Sequence, residues 1–93
     1  MTRFDRLCEN VREVLLRYWD PIGIRDVPKA RDEYDQYAVP IANMVLAGNS
    51  AAALAKHLLA IEIDSMGLKG NQERARLVAE KLRIVGDALM RSP

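Results

Sequence analysis

Residues 36–55 contain twenty consecutive positions without a formal charge, and this run dictates the fold more strongly than any other stretch. It cannot cross a membrane, because a span needs about 20 unbroken apolar residues and Pro40, Asn43, Gly48, Asn49 and Ser50 interrupt it. It must therefore be buried as two short helices joined by a turn. Proline is tolerated in the first turn of a helix, where backbone donors lack partners anyway. Pro40 thus predicts a helix over residues 36–47 that starts no earlier than Asp35. Tyr37, Ile41, Met44 and Val45 form its main face. Gly48 suits its C-terminal cap and Ser50 the N-cap of the next helix, residues 51–66, which Gly67 closes with an apolar contact from Leu68.

The flanks are also helical. Thr2 caps a first helix over residues 3–18, with Asp5 placed three residues on as in a capping box. Phe4, Leu7, Cys8, Val11, Val14, Leu15 and Tyr18 recur at the spacing of one helix face. Asn71 opens a last helix over residues 72–90, with Ala75, Val78, Leu82, Val85 and Leu89 as its buried seam. Between the first two helices, Pro21, Gly23 and Pro28 break the pattern, and Asp20 must leave the helix because it precedes proline. Trp19, Ile22, Ile24 and Val27 should fold back onto the core, and residues 29–35 may add a helical turn only as a short piece. The expectation is an all-α protein: one domain over residues 1–93, a compact bundle of four main helices with an ordered Pro/Gly loop between helices 1 and 2.

Composition narrows the chemistry. With 49 % apolar and 29 % charged residues the chain is globular rather than disordered. Fourteen basic against thirteen acidic residues leave +1, so no net field draws it to nucleic acid or an anionic membrane. One cysteine, Cys8, allows no internal disulfide, and with one histidine there are too few soft ligands for a structural zinc site. The expectations are no cofactor, no metal and no membrane association. A cytoplasmic location is the default.

The loop reads Trp19-Asp20-Pro21-Ile22-Gly23, followed by Asp32-Glu33-Tyr34-Asp35 and Tyr37, then Ile61-Glu62 and Met66-Gly67-Leu68. This combination resembles a family of small bacterial all-helical proteins known only as a domain of unknown function. The resemblance covers residues 15–68. It implies a single all-α domain in a bacterial protein, and neither a reaction nor a cofactor.

Five features are candidates for function. Asp26, Asp32, Glu33 and Asp35 make the loop acidic and able to dock a basic partner, while Asp20, with Trp19, Pro21 and Gly23, should brace the turn. Their spacing fits no EF-hand. Glu62 falls on the apolar side of the third helix, where a carboxylate needs a partner; Arg25, Arg31, Tyr34 and the Trp19 indole are within sequence reach. Read as catalytic, it would be a general acid or base, but no nucleophile or second carboxylate is placed to join it, so a structural role is expected. His57 projects away from that face. From residue 69 onward six bases oppose three acids, yet Glu73, Arg76, Glu80, Arg83, Asp87 and Arg91 alternate along one face, a self-paired stripe rather than a phosphate-binding one. Val39 and Leu46 lie off the main face of the second helix, and Leu77 and Ile84 form a second seam on the last, around a mid-helix Gly86 that invites close approach by the first helix or by a second copy.

The function expected from these features is a non-catalytic protein-binding module. Its partner is another protein or the same chain as a homodimer, and its most concrete form is a bacterial immunity protein that neutralises a basic nuclease toxin. The rivals are a small enzyme using Glu62 with a loop carboxylate, and nucleic-acid binding through helix 4.

Overall fold

In the computed structural model, residues 2–30 and 32–91 are described. They form four helices and no strand. α1 spans Arg3–Val14, α2 Asp35–Leu46, α3 Ala51–Ala60 and α4 Gln72–Arg91. The start of α1 is a full capping box: the Asp5 amide donates to Thr2 Oγ1 at 3.0 Å, and the Thr2 amide to Asp5 at 3.0 Å. Ser50 caps α3 and Asn71 caps α4 in the same manner.

Two helices do not end as regular periodicity predicts. α1 runs on as a π-helical turn, Leu15–Trp19, closed by the Asp20 amide on the Leu15 carbonyl at 2.8 Å. α3 runs on as a second π turn, Ile61–Ser65, closed by Met66 on Ile61 at 3.0 Å. A π turn contains one residue more than an α turn. The extra residue shifts the phase of all that follows it. Tyr18, expected in the core, is therefore exposed, and Leu16 and Trp19 are buried in its place.

The core is formed by Leu7, Val11, Val14, Leu15, Leu16 and Trp19 of the first segment, Ala38, Ile41, Ala42 and Val45 of α2, Leu54, Leu58 and Ile61 of the third, and Ala75, Val78, Ala79 and Leu82 of α4. α4 is the element that all the others share. It packs along α3 and α1, and α2 closes against α1 and α4. The whole is a slab of 40 × 30 × 17 Å, so several helices keep an outward face.

The loop 20–34 includes a 3₁₀ turn at Pro28–Ala30. Of its apolar residues Trp19 and Ile24 pack on the core, whereas Ile22 and Val27 stay exposed, contrary to expectation. Pro40 lies inside α2, past its first turn. The helix starts early because the Tyr34 carbonyl receives both the Tyr37 and Ala38 amides. The Gln36 carbonyl, which Pro40 cannot serve, belongs to an exposed residue. Leu68, expected to pack on the end of helix 3, is largely exposed; its amide closes that end on the Glu62 carbonyl at 2.8 Å.

Candidate functional site

The two π turns meet at Glu62. Its carboxylate is 0 % exposed. Oε2 accepts the Trp19 indole N–H at 3.1 Å, and Oε1 forms an ion pair with Arg74 Nη2 at 2.5 Å. Of the partners that sequence offered, the Trp19 indole is right, Arg25 and Tyr34 are engaged elsewhere, and Arg31 lies outside the described residues. The cation is Arg74, in the first turn of α4. It escapes a reading of single helices because the partnership is made only when α4 lies along α3. Both Glu62 oxygens are used, which leaves none at the surface to meet a substrate.

Trp19 is 1 % exposed, with its ring 5.3 Å from that of Tyr34 and 6.1 Å from that of Tyr37, the latter edge-on. Next to it Asp20 adopts a left-handed conformation, φ +30° and ψ +59°. Its carboxylate turns back on its own loop: Oδ1 accepts the Ile24 amide at 2.7 Å and the Tyr34 hydroxyl at 2.8 Å, and Oδ2 the Arg25 amide at 3.1 Å. Partial burial alone would raise the Asp20 pKa; the bonds from Ile24, Tyr34 and Arg25 outweigh it and hold the carboxyl below the usual range. The Tyr34 phenol is pushed well above its ordinary value by burial first and by donating to Asp20 second. Gly23 closes the turn at φ +68°, donating to the Asp20 carbonyl at 3.2 Å. Asp20, Pro21 and Gly23 are structural, as the sequence indicates.

The acidic residues of the loop do not converge. Asp35 faces back to α1, 3.5 Å from Arg12. Asp26 is 94 % exposed and 3.9 Å from the Arg25 guanidinium. Asp32 and Glu33 are exposed. Instead, the loop and helices 1 and 4 bring cations together. A pocket of about 450 Å³ is lined by Arg17, Arg25 and Arg74 with Trp19, Asp20 and Gly23. Among the described residues no group of His, Cys, Asp and Glu is placed to hold a metal ion.

The four apolar residues assigned to an interface, Val39, Leu46, Leu77 and Ile84, are all exposed, and Ile84 is the most exposed at 67 %. Leu77, Ile84 and Ala88 form a ridge on the outer side of α4. Ala88 also lines a groove of about 650 Å³ between α1 and α4, together with Val14, Tyr18, Val85 and Leu89. Lys81, on the same side of α4, sits 4.3 Å from the centre of the Tyr18 ring. Gly86 serves neither helix 1 nor a second copy. It meets α2: a Cβ there would overlap Val45 Cγ1, and Arg83 donates to the Val45 carbonyl at 3.2 Å. The charged stripe of α4 is self-paired, Arg76 with Glu73 and Glu80 and Arg83 with Asp87.

No protein-family model, curated protein or solved structure matches the chain.

Proposed function

We propose that this chain is a non-catalytic protein-binding module whose docking face is the ridge of α4 and the groove beside it. The observation that carries this reading is the continuity of Leu77, Ile84 and Ala88 with the apolar side of the groove, Val14, Tyr18, Val85 and Leu89. An uninterrupted apolar patch on a small protein costs solubility unless it is covered in use. A groove between two helices accepts the apolar side of a partner helix.

The enzyme reading has no comparable support, since both oxygens of Glu62 are consumed inside the fold. Nucleic-acid binding through helix 4 has little, since Arg74, Arg76 and Arg83 are each paired with a carboxylate. A toxin-neutralising role would use the exposed Asp26, Asp32 and Glu33, and a bacterial cytoplasmic setting suits it; Asp35 contributes less, being held by Arg12.

Self-association is the second reading, favoured by the exposure of Val39 and Leu46 on α2 as well. On the α4 ridge a two-fold axis midway between Leu77 and Ile84 passes beside Lys81 and sets it against its own copy. Like charges there oppose pairing, which favours a different partner with an acidic group near Lys81.

The test is capture from the source cell with the unaltered chain, Ile84→Glu and Leu46→Glu as parallel baits, alongside analytical ultracentrifugation. A partner lost with Ile84→Glu and kept with Leu46→Glu supports the α4 face. A partner captured equally by all three baits, or none, removes it. A dimer of the unaltered chain at tens of micromolar that Leu46→Glu dissociates moves the interface to α2.

A further inference from the structure

The pocket under the 20–26 loop gathers three guanidinium groups from three parts of the chain: Arg17 from the π turn after α1, Arg25 from the loop and Arg74 from the first turn of α4. We propose that it is a binding site for a doubly charged oxyanion, either a phosphate or a dicarboxylate. This goes beyond the docking face on α4 and does not depend on it.

The first argument is the disposition of the nearby acids. Asp20 directs both carboxylate oxygens into its own loop and the Tyr34 hydroxyl. Glu62 lies behind the wall, not in it, and occupies one nitrogen of Arg74. Asp26 is almost wholly in water, at a loose 3.9 Å from Arg25. None of the three neutralises Arg17.

The second argument is positioning. The Arg25 guanidinium donates to the Arg17 carbonyl at 3.3 Å, which holds it at the end of the first helix. Glu62 fixes Arg74, whose side chain is still 31 % exposed. Planar guanidinium groups held in place are suited to oxyanions, which they bind through paired N–H donors. Arg74 also stands at the positive end of the α4 dipole.

The third argument is the backbone. Both π turns and the left-handed Asp20 border this one region, and irregular turns inside helices occur frequently at functional sites. A volume of about 450 Å³ admits a small anion with part of the molecule that carries it.

Trp19 lines the pocket and is the only tryptophan, so its emission reports occupancy. The folded chain is titrated with inorganic phosphate, succinate and sodium chloride at constant ionic strength. The expected result is a saturable change with phosphate or succinate, half complete at or below about 1 mM, and none with chloride. Phosphate alone identifies a phosphate site; succinate alone identifies a carboxylate site. The Arg17→Gln/Arg25→Gln double variant, its fold checked by circular dichroism, should raise the half-saturation at least about tenfold, and Arg91→Gln should leave it unchanged. If the double variant is misfolded, Arg17→Gln alone carries the comparison, because Arg17 is exposed. No saturation with either anion, the same curve with chloride, or unaltered binding in the variant overturns the proposal. Any of these results leaves the partner capture on the α4 face unaffected.

Discussion

Glu62 shows how unequal the two halves of one ion pair are. Arg74 is partly in water and Glu62 is not. Glu62→Gln keeps the bond from Trp19 and frees a guanidinium that can rehydrate, so it should cost about 1–3 kcal/mol. Arg74→Met strands the carboxylate with one donor in the interior and should cost more, about 3–5 kcal/mol. Urea unfolding of both variants checks the order, and equal losses would contradict it. Trp19→Ala removes a large buried ring as well as a donor to Glu62, for about 3–5 kcal/mol. From a total of about 5–10 kcal/mol for a chain of this size, that leaves the variant close to unfolding, and an unchanged melting temperature would place Trp19 at the surface.

Asp20 and Tyr34 set the pH limits of the same cluster. The Asp20 pKa is lowered in the fold, so its contribution is complete above the unfolded value of about 3.9 and is lost as the pH falls through the folded one. Tyr34 is shifted up, so its contribution is complete below the unfolded value of about 10 and is lost as the pH rises beyond it. Stability measured against pH should show a plateau with an acid and an alkaline limb. Asp20→Asn should flatten the first and Tyr34→Phe the second. Limbs that persist unchanged in these variants would assign them to other groups.

At the scale of elements the π turns and Gly86 matter most. The turn at Leu15–Trp19 acts as a one-residue insertion. Deleting the exposed Arg17 should restore a regular helix, in which the tryptophan moves to the position that α periodicity points at the core. The deletion variant should stay helical with a buried indole emission, whereas deleting Asn10 from the regular part of α1 rotates every later residue and should unfold the chain. Gly86 is required by Val45. Alanine there gains about 1 kcal/mol of helix propensity but drives a methyl group into Val45 Cγ1, and overpacking typically costs about 1–3 kcal/mol. Gly86→Ala should therefore destabilise, and adding Val45→Ala should recover part of the loss in a double-mutant cycle.

At the scale of the molecule, the slab shape decides what is left uncovered. A body only 17 Å thick in its shortest dimension buries one side of each helix and leaves the other, so the ridge of α4 follows from the architecture. Ile84→Glu should change the stability of the isolated chain by no more than about 0.5 kcal/mol, as surface substitutions do, while abolishing association with a partner. A loss of several kcal/mol would mean that Ile84 is packed inside the fold.

Local chemistry in the sequence determined the four helices, their caps at Thr2, Ser50 and Asn71, the break at Asp20, the burial of Trp19 and Glu62, and the exposure of Val39, Leu46, Leu77 and Ile84. Each depends on residues within one or two turns, where spacing and capping preferences act directly. Only the tertiary structure decided that Arg74 answers Glu62, that α2 is what fits against Gly86, that Asp35 returns to Arg12, and that three arginines meet beneath an acidic loop. Those pairs are separated by up to 57 residues in sequence (Arg17 to Arg74), and no local preference encodes them. The two π turns belong with them: a single extra residue alters the phase by less than sequence periodicity resolves, yet it exchanges Tyr18 for Trp19 in the core. Packing made that choice, because the Trp19 indole gains a buried partner in Glu62 that the regular helix would have denied it.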